Sequence, residues 1–276
     1  MKKILVYFRT SVMPFLAAYT IIVVVSNLLY IIYQLMISFY IGILQGRDAL
    51  TDVNRLSQEI EDMMSQNILY LVTVASVLIC GVVFGFWYYY ETQGRPKIKL
   101  RIVFGRRNLV FFLILGIGCQ FFFSGIMNML QPIYPEYYEE YGKTIEGLLD
   151  SNILLVLLYT IVIAPICEEL IFRGVTLYRA NKVIPFLGAN LLQAIFFGIY
   201  HGNIIQGIYA VVMGFMLGLV YRKYHTIYTS ILLHMLINAS SFSVMLFPSS
   251  TISFVIMTMI GLAGSVYAFL SLKLGK

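Results

Sequence analysis

Charge is what this sequence lacks most. Of its 276 residues only 12% are Asp, Glu, Lys or Arg, while 60% are hydrophobic; an average globular chain is roughly a quarter charged. A deficit of that size excludes intrinsic disorder, a coiled coil and an ordinary water-soluble domain. Cysteine is scarce as well. Cys80, Cys119 and Cys167 each lie inside a long apolar run, and an odd count in such places excludes a disulfide framework and leaves the redox compartment open. Histidine occurs three times and tryptophan once. What remains is a polytopic membrane protein with no separate soluble module.

The apolar residues fall into eight stretches, about 12–44, 68–90, 109–130, 151–172, 184–201, 204–221, 226–247 and 251–272. Spanning the hydrocarbon takes about 20 residues, and lipid offers no partners to backbone N–H and C=O groups, so the spans are expected to be helices. The fold class is therefore all-α, a bundle of about eight transmembrane helices. The first stretch is far longer than the apolar region of a signal peptide and no small-residue cleavage site follows it, which predicts an uncleaved first span. Trp87 with Tyr88, Tyr89 and Tyr90 reads as an interfacial belt. Sixteen of the 19 Lys and Arg residues fall in alternate loops: 1–9, 95–107, 173–182, 222–223 and the C-terminus. Ten of the 13 acidic residues fall on the other side, in 45–67 and 131–150. Positive-inside bias then predicts a multi-pass cell-membrane protein with both termini cytosolic. The formal charge of +6 is a topology signal with attraction to the anionic lipid bilayer, and nucleic acid is not an expected partner. Segments 48–66 and 136–149 read as short surface helices on the acid-rich side. Gly81-x-x-x-Gly85 and Gly214-x-x-x-Gly218 allow close helix packing.

Ionisable groups inside hydrocarbon are costly and usually functional, and here they make a short roll. Glu168 and Glu169 are adjacent in the fourth stretch, His201 ends the fifth, and His234 lies in the seventh. Glu169 and Arg173 are four apart, share a helix face and can neutralise each other. Glu168 points about 100° away with no cation on its own helix. Pro165 cannot donate its backbone bond, which on an α-helical register frees the Ile161 carbonyl. Phe197 and His201 share one face of their helix, and His234 and Asn238 one face of theirs. A carboxylate with two imidazoles, here Glu168, His201 and His234, can hold a zinc ion with an open position or activate water directly. A carboxamide beside a histidine can donate to a developing oxyanion. The competing structural readings are an ion pair locking helices for Glu169 and Arg173, a helix–helix hydrogen bond for Asn238, and a packed thiol for Cys167. Glu168 has no such inexpensive alternative.

In order and spacing, the pair Glu168-Glu169 with Arg173, then Phe197-x-x-x-His201, then His234-x-x-x-Asn238 resemble the three motifs of the type II CAAX prenyl protease and bacteriocin-processing (CPBP, or Abi) intramembrane proteases. The resemblance covers roughly residues 150–245. It divides the chain into N-terminal helices 1–3 with their outer loops (1–149) and a catalytic core of helices 4–8 (150–276). It implies an intramembrane endopeptidase, with a peptide or membrane protein as substrate. In that case Glu168 and His201 activate the water, His234 and Asn238 stabilise the oxyanion, and Glu169 with Arg173 braces helix 4. It leaves open whether zinc is bound; no H-E-x-x-H motif is present. The Ile- and Tyr-rich composition looks like that of a low-GC bacterium and points away from a prenylated substrate. The alternatives are a non-catalytic scaffold of the same fold that binds a partner protein, and a proton-relaying transporter, for which inverted repeats would be expected.

Counting along the helices at 1.5 Å per residue puts Glu168 and His234 about 10–12 Å from the basic end of the bundle but His201 about 24 Å. Groups sharing one water cannot differ so much. The sequence therefore predicts a bend or separate helix over 178–189, a fifth span starting near Asn190 and running past His201, and convergence of the four groups within about 8 Å in a cavity open to the cytosolic half of the membrane.

Overall fold

A computed structural model describes residues 2–45, 56–58, 60, 66–94, 100–149, 152–244 and 246–274. Among them there is no strand. The helices are α1 (Lys2–Ser11), α2 (Met13–Gln45), α3 (Gln66–Thr92), α4 (Leu100–Val103), α5 (Arg106–Leu130), α6 (Pro135–Leu149), α7 (Ile153–Ala180), α8 (Phe186–Tyr200), α9 (Ile204–Tyr224), α10 (Ile227–Val244) and α11 (Thr251–Leu274). Seven of them, α2, α3, α5, α7, α9, α10 and α11, contain stretches long and apolar enough to cross a membrane. The chain is an all-α, multi-pass membrane protein.

Two expected spans are corrected. The fifth stretch forms α8, whose 15 residues reach about 22 Å, short of a hydrocarbon layer of about 30 Å. Its break lies at 181–185, as a bend near there predicts. The helix then starts at Phe186 rather than at Asn190, carries Gly188 inside it, and stops at Tyr200. Gly202, at φ +69°, turns the chain, and the Asn203 side chain accepts from Ile205 N–H and Gln206 N–H to start α9. Gly202 and Asn203 are therefore the tip of an α8–α9 hairpin, not part of a span. The fourth stretch runs past Phe172 to Ala180. Asn152 caps its start by accepting from Leu154 N–H and Leu155 N–H. The expected surface helix at 136–149 is α6, whereas that at 48–66 lies mostly outside the described residues, as do Arg47, Arg55, Arg95, Lys97 and Lys99.

Close backbone approach holds the bundle together, since helices in lipid gain little from apolar burial and associate by packing. A Cβ on Gly261 would meet Phe122 N at 2.2 Å, and one on Gly125 would meet Phe254 O at 2.7 Å, so α5 and α11 touch at their backbones. Both sequence glycine pairs act this way, each toward the site. Gly81 seats Cys167, and Gly218 seats the Asn190 amide. Helix α7 packs against α2, α3, α8 and α10, and the acidic pair is buried among them.

The α8–α9 hairpin is fitted in the same way. A Cβ on Gly198 would lie 2.8 Å from the Gly207 carbonyl and 2.5 Å from Val211 Cγ2. Gly198→Ala is expected to pry α8 from α9 and to destabilise the protein by about 1–3 kcal/mol. Gly142→Ala, where a Cβ would meet nothing within 4 Å, is expected to be neutral or stabilising by about 0.5–1 kcal/mol. Thermal melts of the two purified variants would separate these outcomes.

Candidate active site

The middle of α7 is not a regular α-helix. Tyr159–Ile163 and Leu170–Leu177 are π-helical, flanking one α-helical stretch at Ala164–Glu169. Ala164 N–H bonds Tyr159 O, five residues back. In that register the next donor would serve Thr160 O, but it is Pro165 and has none. The orphaned carbonyl is thus that of Thr160, not of Ile161 as an α-helical register implies. Asn238 on α10 supplies the missing donor, its Nδ2 lying 2.9 Å from Thr160 O. Short π-helical turns inside α-helices recur at functional sites. Here they bracket the two glutamates.

Glu169 and Arg173 are both completely buried and 2.7 Å apart. Arg173 Nη2 also donates to Gly214 O at 3.0 Å, and its guanidinium lies 4.6 Å from the centre of the Phe197 ring. Glu169 Oε1 has a second partner, His234 Nδ1, at 2.9 Å. A carboxylate only accepts, so this bond places the proton on Nδ1 and leaves His234 Nε2 with a bare lone pair when the ring is neutral. That lone pair faces Glu168 Oε2 at 3.7 Å. The gap is too long for a direct hydrogen bond and too short for a water to sit between the two atoms, so a water bonded to both lies beside the line joining them. Glu168 itself is 8% exposed.

His201 sits at the C-cap of α8, where its Nδ1 lies 2.7 Å from Phe197 O. The carbonyl likewise fixes the proton on Nδ1 and leaves Nε2 as an acceptor. Both imidazoles stand edge-on to the same Phe197 ring, His201 at 4.7 Å and His234 at 5.7 Å between centroids. Glu168, Glu169, Arg173, Phe197, His201 and His234 are thereby gathered from α7, α8 and α10. Asn238 lies one turn beyond His234, with one amide N–H committed to α7. Among the described residues no three His, Cys, Asp or Glu side chains form a group set to hold a metal ion.

Two further residues of the cluster escaped the sequence reading. Gln193 Nε2 donates to Gly214 O at 2.9 Å and to Asn190 Oδ1 at 2.8 Å, and Asn190 Nδ2 donates to Phe215 O at 2.9 Å. Gly214 O thus receives both Arg173 and Gln193. Two carboxamides three residues apart on an otherwise apolar helix are the signal that could have found them.

A buried carboxylate facing an imidazole amid membrane-spanning helices makes this a polytopic membrane protein with ionisable groups gathered inside its helical bundle. Residues 150–240, which contain all of these groups, match the family model of the Rce1-like type II CAAX prenyl endopeptidases. This is the family that the three motifs resemble. A curated relative, "Putative membrane peptidase YdiL" of Bacillus subtilis (strain 168), is 24% identical over 135 residues, which is 47% of this chain. The alignment covers 53% of that protein, so the chain spans about half the length of the relative it matches. No solved structure matches.

Proposed function

We propose that the protein is an intramembrane endopeptidase that hydrolyses a peptide bond of a membrane-associated peptide or protein, with residues 150–276 as its catalytic core. The observation that carries this reading is the pairing of two acceptors, Glu168 Oε2 and His234 Nε2, 3.7 Å apart in a buried site. Both Nδ1 protons are tied elsewhere, so the carboxylate and the bare imidazole nitrogens can take the protons of one water. The water's oxygen attacks the scissile carbonyl carbon as Glu168, assisted by His201, removes a proton. His234, taking up a proton from solvent at Nε2 as the oxyanion forms, becomes a donor toward it and returns that proton when the intermediate collapses, and the uncommitted N–H of Asn238 is the second donor. Glu168 then returns its proton to the leaving nitrogen as the C–N bond breaks, giving a carboxylic acid and an amine. Glu169, held by Arg173, keeps His234 in the tautomer and orientation this requires.

These steps use only side chains of the chain and route nothing through a metal ion. The basic ends of α1, α7 and α9 are assigned to the cytosol, which puts both termini there. The endopeptidase family description supports the reaction type. Composition points away from a prenylated substrate.

The test compares peptides released from membranes carrying the wild-type protein, its His201→Ala variant or neither. Fragments that appear only with the wild type are expected, and their mass identifies the cleaved bond. Identical peptide sets with a binding partner retained by both proteins would replace the protease with a scaffold of the same fold.

A further inference from the structure

Away from the acidic pair, where the α7–α8 bend meets the C-terminal end of α9, lies a polar cavity. Its volume is about 220 Å³, and its walls include Asn181, Lys182, Tyr178, Arg222 and His225, with Phe186 at the start of α8. None of its lining residues is acidic. Nearby, Glu91 neutralises part of the charge, pairing with Arg179 and with Lys182 Nζ at 2.6 Å. Two cations against one carboxylate leave an excess of positive charge. Arg222 adds to it, having no acidic partner among the described residues and resting its guanidinium 5.1 Å from the Phe186 ring. The first turn of α8 has no side-chain cap, so its free N–H groups and the positive end of its dipole also favour an anion there. His225 adopts the left-handed conformation, φ +53°, as α9 hands over to α10. From this cavity an apolar track, Leu187, Leu191, Ile195 and Ile199, runs along the outside of α8, each residue at least 41% exposed.

We propose that this cavity binds the phosphate of an anionic phospholipid headgroup, with the acyl chain lying along the exposed face of α8. The charge selects a phosphate. The track beginning beside it selects an amphiphile over a free phosphate, and the basic end of a helical bundle is where such headgroups lie. The reading is independent of the proposed peptidase activity, since no member of the acidic centre lines the cavity.

The test is native mass spectrometry of the purified full chain in detergent, titrated with phosphatidylglycerol, phosphatidylcholine or inorganic phosphate. The wild type is expected to retain one phosphatidylglycerol at least tenfold more tightly than phosphatidylcholine. Arg222→Gln should weaken that binding about five- to tenfold, with the melting temperature without lipid unchanged, because Arg222 is solvent-exposed. Arg106→Gln, an exposed charge that does not line the cavity, should change binding less than twofold. Equal retention of the two lipids, or equal losses in both variants, would overturn the site. Displacement of phosphatidylglycerol by millimolar inorganic phosphate would overturn the lipid as occupant while keeping the phosphate chemistry.

Discussion

Glu168→Gln is expected to accumulate, fold and melt at or above the wild-type temperature while losing turnover by about 10²–10⁴-fold, the usual contribution of a general base. The prediction separates two adjacent carboxylates of identical type. Glu169 is fully buried and bonded by two cationic or protonated partners. The nearest charged partner that Glu168 has among the described residues is an imidazole nitrogen at 3.7 Å, too far to bond directly. Removing a charge that no close partner compensates relieves a desolvation cost of several kcal/mol, so folding gives no reason for Glu168 to be there. Glutamine keeps the shape and the hydrogen-bonding reach but cannot accept a proton at neutral pH. Purified proteins in proteoliposomes, compared by peptide release and by thermal melt, supply both readouts. A Glu168→Gln protein that cleaves at the wild-type rate would end the assignment of this residue as the base.

The contrast between these two glutamates was half legible in the sequence. The i to i+4 spacing pairs Glu169 with Arg173 and leaves Glu168 alone, and the structure keeps that division. What the spacing cannot show is a contact between residues 65 apart, and so the bond from His234 Nδ1 to Glu169 was invisible. That bond changes the role of the ion pair from bracing one helix to orienting the imidazole of another. The extent of α7 was misread for a related reason. Ending the span near Phe172 treats Arg173 as the first residue in water, yet a buried and neutralised arginine lets the helix continue to Ala180.

The depth argument failed on geometry rather than composition. Glu168 lies 12 residues from the end of α7 at Ala180, and His234 lies 7 residues into α10, about 18 and 10 Å along their helices. Their side chains nevertheless meet at 3.7 Å, because helix ends do not share one plane. A shorter α8 starting at Asn190 was therefore unnecessary. Residue counts place groups along a helix but not relative to another helix.

Arg173→Ala is expected to lower stability by about 3–5 kcal/mol, the cost of stranding one member of a buried ion pair, and to lower yield and melting temperature accordingly. Against a total of roughly 5–15 kcal/mol for a folded chain, that is a large share. The side chain has no exposure, bonds Glu169 at 2.7 Å and Gly214 O at 3.0 Å, and covers the Phe197 ring. Its loss would leave Glu169 with hydrogen-bond donors that carry no charge, the His234 N–H and the Ser230 hydroxyl, and no cation. Yet the pair is not saturated, since Arg173 Nε is buried with no partner. Replacing a buried pair by apolar residues is often neutral or stabilising, so the double variant Glu169→Leu with Arg173→Leu should recover much of the lost stability. It should not recover turnover, because His234 Nδ1 then has no acceptor and the ring loses the tautomer that bares Nε2 toward Glu168. Melting temperature and turnover would thus part company in the double variant, which a purely structural ion pair does not predict. An Arg173→Ala protein as stable as the wild type but inactive would instead move Arg173 from holding the site to acting in its chemistry.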